Sequence, residues 1–129
     1  VHGSLRDHVN DYLIEQEAAE ATLKLLQTTI CLVGHSHLPF ICHENAGSPV
    51  FLQFTEDQVY PLGDERLIIN PGCVGQPRDR DPRPSYAIHD SRAGTIQRHR
   101  VTYPIQDTQE KMRKANLPQY LIDRLDHGI

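Results

Sequence analysis

The sequence predicts an α/β fold, and three observations predict it. A helical pattern over residues 15 to 27 runs directly into Thr29-Ile30-Cys31-Leu32-Val33, an apolar, β-branched run of strand length. The middle of the chain then breaks into short β runs separated by turn residues, and the tail returns to helix. A helix feeding a wholly apolar strand marks an αβ unit whose strand is buried on both faces, often in a parallel sheet.

Residues 2 to 6, His-Gly-Ser-Leu-Arg, read as a loop, and Asp7 can cap a short helix to about Ile14. The next helix rests on Ala18, Ala19, Thr22, Leu23 and Leu26, which recur at three- and four-residue steps. Glu15, Glu17 and Glu20 occupy its other faces. Beyond Gly34 the predicted strands are 40–43, 50–54, 66–70, 85–89 and 95–102, with turns at 45–49, 61–64 and 90–94. The stretch 70–84 is rich in Gly, Pro and charge, too long for a turn and too polar for a core. Loops of that length in a compact domain are often functional. Helices are expected over 107–114 and 118–126, with Leu117-Pro118 marking the second start.

Composition narrows the function. The 129 residues suit a single domain with one core, and with no Trp and three Phe that core rests on Leu, Ile and Val. A net charge of −4 argues against nucleic acid as a partner, since neutralising phosphates needs excess Lys and Arg. Cys31, Cys42 and Cys73 are odd in number and form no CxxC pair, which fits a reducing cytoplasm better than a disulfide framework. No run approaches the length of a membrane span. Val1, followed at once by a His-Gly-Ser turn, reads as a strand cut short, so a natural N-terminus upstream is expected.

Three motifs carry chemistry. Gly34-His35-Ser36-His37 follows the strand ending at Val33, and a strand end presents side chains at the carboxyl edge of a sheet, where α/β proteins bind ligands. Two histidines one residue apart on such a loop can turn to one side and offer neutral imidazole nitrogens to a metal. His2-Gly3-Ser4 also sits at a strand end. Asn70-Pro-Gly-Cys-Val-Gly-Gln-Pro-Arg78-Asp79 follows the β run Leu67-Ile68-Ile69. Its glycines permit close backbone approach to a ligand, and Arg78 could offer a bidentate fork to phosphate. Elsewhere, Cys42 and His43 alternate faces of a strand and cannot both join a zinc site. His8, His89, His99 and His127 read as solvent-facing, and Arg98-His99-Arg100 as a polar strand end.

In this order and spacing, the three motifs resemble the C-terminal half of calcineurin-like metallophosphoesterases, in particular the small prokaryotic phosphodiesterases and phosphatases. The resemblance extends to the tail Ala115–Leu125. It implies two packed β-sheets flanked by helices, with residues 1–129 as the C-terminal portion of one domain and the N-terminal strands missing. It implies that His2 and His35 serve one metal and His37 the other, in a dinuclear site of Mn, Fe, Ni or Zn. It further places Asn70, Gly72 and Arg78 at the substrate, a small-molecule phosphate ester. The family's Asp-x-His, Gly-Asp-x-x-Asp and Gly-Asn-His elements are absent from this chain, so the chain by itself is expected to be inactive and the intact protein active. Cys73 stands where the family usually has Ser, read as a small-for-small replacement. The alternative is a protein-binding scaffold that kept the fold and lost catalysis. A half-domain with open sheet edges also invites pairing with another chain, so a homo-oligomer is an expectation.

Overall fold

A computed structural model describes residues 1–129. Helix α1 (Gln16–Leu25) buries Ala18, Ala19, Thr22 and Leu23, the predicted stripe, and leaves Glu17 and Lys24 on its outer side. The chain then enters β1 (Ile30–Leu32). Strands β2 (Pro39–Asn45), β3 (Ser48–Gln53), β4 (Val59–Pro61), β5 (Leu67–Pro71), β6 (Ser85–Asp90) and β7 (Thr95–Arg100) follow. The tail forms α2 (Ile105–Lys114) and α3 (Gln119–Asp123), ending in a 3₁₀ turn over Arg124–Asp126.

The strands make two sheets. The first has the order β1-β5-β2-β3, with β1 parallel to β5 in the register Ile30 to Leu67 and Leu32 to Ile69. The second has the order β4-β7-β6 and is wholly antiparallel. Period-two alternation divides the first sheet's side chains between two cores. Cys31, Val33, Phe40, Cys42 and Ile68 face α1 with Leu13, Ala18, Ala19 and Leu23. Ile41, Leu67 and Ile69 face the second sheet and meet Phe54 and Ile96. The fold is therefore helix, sheet, sheet, as the resemblance implied.

The differences from expectation have local causes. No helix forms over residues 7–14. Asp7 does cap, accepting bonds from the Val9 and Asn10 amides, but its carboxylate closes a turn and the chain goes no further into helix. Strand β4 was hidden because it is only three residues long and pairs solely along the edge of β7. Arg98-His99-Arg100 is not a solvated strand end: Arg98 is buried, and the Arg100 side chain is 2% exposed. His99 is half-buried, bonded to Asp57 and tilted against Tyr86, whereas His8, His89 and His127 are exposed.

The 70–84 segment is also more than a surface loop. Pro77 and Pro84 are buried. Arg100 pairs with Asp79 and Asp81, and Arg83 pairs with Asp81 and Glu56, which pins the segment to the second sheet. The tail closes over it where the Arg80 amide donates to Gly128. No helix is long and apolar enough to cross a membrane.

Candidate functional site

Because β1 and β5 are parallel, their carboxyl ends meet at one edge of the sheet. That topology makes neighbours of the Gly34–His37 loop and the Asn70–Arg78 segment. The chain leaves β1 at Gly34, turns through His35-Ser36-His37, and re-enters at Pro39 opposite Pro71 on the far side of β5. The turn is tight: His35 and His37 both take positive φ, 59° and 61°. Non-glycine residues held there cost about 1 kcal/mol or more each and mark places where the surroundings dictate the backbone.

Asn70 does the dictating. It is fully buried at the end of β5, and its amide nitrogen donates to the Gly34 carbonyl at 2.8 Å and to Ser36 Oγ at 3.0 Å. Its carbonyl oxygen accepts from the Gly72 amide at 3.0 Å. Asn70, expected at the substrate, uses both ends of its side chain to lock the two loops together. Gly72 is likewise a packing residue. Its φ is +88°, and a Cβ there would lie 2.9 Å from both Cβ and Oγ of Ser85.

His2 reaches the same edge from the other side. Its carbonyl accepts from the Gly34 amide, and Val1 donates to Leu32, so residues 1 and 2 lie alongside the end of β1. The turn behind it leaves no room for another residue at Gly3, whose added Cβ would sit 2.5 Å from the Asp7 carbonyl. Ser4, Asp11 and Arg6 brace this turn through Ser4 Oγ to Asp11 at 2.6 Å and a two-pronged Arg6–Asp11 pair. The result is that His2 Nε2 lies 2.7 Å from His35 Nδ1. Tyr12 covers the His35 ring, centroid to centroid 4.0 Å, a contact with no signal in the sequence because Tyr12 lies in a segment read as helix.

His37 turns to the other loop. Its Nδ1 lies 2.7 Å from the Gln76 carbonyl, which can only accept, so Nδ1 carries the proton and Nε2 keeps a free lone pair. Burial holds its pKa below the ordinary histidine value despite that bond, and nearby Arg78, His35 and His2 push the same way. A neutral imidazole with Nε2 open is the form that ligates metals. Gln76, which no motif singled out, links the two loops. Its amide is held by Cys73 Sγ, its carbonyl orients His37, and its side-chain oxygen accepts from Arg78 at 2.9 Å. Arg78 pairs with no carboxylate; Asp79, its sequence neighbour, pairs with Arg100 instead.

The donor set fits a metal in part. His2 and His35 converge and His37 has the right tautomer, but no group of three His, Cys, Asp or Glu side chains gathers here to hold an ion. Imidazole ligands also bring no negative charge to set against divalent cations.

A metallophosphoesterase from Sphaerobacter thermophilus, known from its crystal structure, superposes on this chain with a TM-score of 0.93 at 41% identity. The match covers all of this chain and 54% of that one. The chain belongs to the metallophosphoesterase superfamily. An uncharacterised protein of Methanocaldococcus jannaschii is 41% identical over 99 residues, 77% of this chain and 39% of its own length. A hypothetical protein of Pyrococcus horikoshii OT3 shares the fold at a TM-score of 0.73 and 18% identity, over all of this chain and 45% of its own. No family model matches the chain. The chain thus spans about half or less of the length of the proteins it resembles.

Proposed function

We propose that this chain supplies His2, His35 and His37 to a dinuclear metal centre that hydrolyses phosphomonoesters or phosphodiesters, with residues 1–129 forming the C-terminal portion of the catalytic domain. The observation that carries the reading is the 2.7 Å approach of His2 to His35, two imidazoles brought to one sheet edge from segments 33 residues apart. A scaffold that had abandoned catalysis has no need of this strained convergence.

His2 and His35 are assigned to one cation and His37, through Nε2, to the other, with carboxylates from outside these residues balancing the charge. Mn, Fe, Ni or Zn suits such a mixed imidazole–carboxylate set. Two such cations supply Lewis acidity toward a phosphate and a water activated near neutral pH. Within this chain, the Gln76 carbonyl holds the His37 proton on Nδ1, and Asn70 keeps the histidine loop against β5. Arg78, beside His37 and free of any carboxylate, donates to a phosphate oxygen of the substrate. Asn70 and Gly72, expected at the substrate, serve in this reading to hold that edge in position. Three free cysteines accord with a cytoplasmic setting.

The deciding experiment compares metal content and hydrolysis of a chromogenic phosphodiester in this chain and in a version extended to the full length of its relatives. Two bound metals and turnover are expected in the extended protein alone. Turnover by the 129-residue chain would refute the division of ligands, and an extended protein with neither metal nor turnover would favour the scaffold. In the extended protein, Arg78→Ala is expected to lower kcat/KM by about tenfold to a hundredfold for several phosphate esters, the worth of a charge-assisted hydrogen bond of about 1.5–3 kcal/mol. Unaltered kcat/KM would remove Arg78 from the substrate.

A further inference from the structure

The two histidines of the Gly34–His37 loop are oriented by different means. His37 donates from Nδ1 to the Gln76 carbonyl, and that bond sets its ring. Ligating histidines are ordinarily held this way, by a carboxylate or carbonyl on the nitrogen that does not face the metal. His35 has no such partner. Its Nδ1 meets His2 Nε2 at 2.7 Å, and neither ring nitrogen bonds to a carboxylate or carbonyl. Ligation uses the lone pairs that now share one proton, so the bond between the two imidazoles cannot orient either ring on a cation.

Two rings bound His35 instead. His2 meets it edge-on with centroids 4.6 Å apart, and Tyr12 covers it at 4.0 Å with the planes tilted by 41°. The Tyr12 contact is held from both sides in the chain. Before it, Asp11 accepts from Ser4 Oγ and from two nitrogens of Arg6, and Arg6 reaches on to Glu17 in the first turn of α1. After it, Leu13 is 1% exposed and belongs to the core formed with α1. Tyr12 itself is 45% exposed, and its hydroxyl bonds to no protein group. Neither burial nor a polar tether of its own explains where this ring lies; its anchored neighbours set it over His35.

We propose that Tyr12 is a positioning residue for the cation assigned to His2 and His35, its ring face fixing the plane of the His35 imidazole in place of the polar partner that His37 has. The assignment rests on the dinuclear reading above.

The test is Mn²⁺ binding to the extended protein, read as stoichiometry and two dissociation constants, in the parent, Tyr12→Leu and Tyr12→Phe. Tyr12→Leu is expected to weaken one cation by about tenfold to a hundredfold, the usual worth of an orienting partner, and to leave the other unaltered. Tyr12→Phe keeps the ring face and is expected to match the parent. Both changes fall on a half-exposed residue, so the unfolding midpoint should stay in place. In the 129-residue chain without metal, Tyr12→Leu should shift the His35 ring signals in the NMR spectrum and spare those of His37. Two cations held equally well by the parent and Tyr12→Leu, equal weakening of both, a Tyr12→Phe loss as large as that of Tyr12→Leu, or unmoved His35 signals would each overturn the role of the Tyr12 ring alone. A parent that binds no Mn²⁺ would overturn the dinuclear reading and this assignment with it.

Discussion

Asn70→Ala is expected to lower the unfolding free energy by about 3–4 kcal/mol, far more than the loss of one side-chain amide on a surface. Three hydrogen bonds end on this fully buried group, to Gly34, Ser36 and Gly72. Each contributes about 1 kcal/mol net, and their partners would be left with unmet polar atoms at a buried strand end. Denaturant titration checks the magnitude, with the midpoint falling and the slope unchanged. Asn70→Asp keeps the acceptor for the Gly72 amide but sets a carboxylate oxygen against the Gly34 carbonyl at a buried position, so a loss at least as large is expected. The second readout is the imidazole NMR resonances of His2 and His35, which should broaden once the Gly34–His37 turn loses its anchor. A loss below about 1 kcal/mol with those resonances unmoved would show that the turn holds its shape without Asn70.

Arg100→Ala carries the next largest effect, about 3–5 kcal/mol, because it removes one partner from a buried charge pair. The side chain is 2% exposed, paired with Asp79 and Asp81, and also donates to the carbonyls of Asp81 and Arg83. Asp79 would suffer most, since its Oδ1 is already buried without a partner. Arg100→Lys keeps the charge and loses the fork, so roughly half the loss is expected. Acid has the related effect. Asp81 is held below the ordinary carboxylate pKa, chiefly by the Arg83 hydrogen bond, with Arg100 adding to it. A depressed folded-state pKa stabilises above the unfolded value of about 4 and loses that contribution as pH falls through the folded one. The Arg100→Ala protein should therefore lose less stability on acidification below pH 4 than the parent. Equal acid sensitivity in the two would separate Asp81 from Arg100.

Much of the fold was legible along the chain because its signals are local. The stripe Ala18, Ala19, Thr22, Leu23 and the run Ile30–Val33 specify helix and buried strand by spacing alone, and the turns at Gly47 and Gly94 need backbone that glycine provides. The short strand Val59–Pro61 was not legible, since three residues carry no period. Of the candidate site, Gly34-His35-Ser36-His37 announced itself as a loop at a strand end.

Which neighbours that loop would have was a different matter. Only the parallel pairing of β1 with β5, residues 36 to 37 positions apart, brings Asn70 against Gly34 and makes its amide an anchor for the histidine loop. A separation of 39 positions likewise hides the Gln76 carbonyl that chooses the His37 tautomer. Arg98 and Arg100 look solvated from composition, and only the closing of the second sheet over Asp79 and Asp81 buries them. Spacing reports which face a residue takes, because that is set by the backbone's own period. What lies across from that face depends on strand order and register, which are decided by contacts between distant segments.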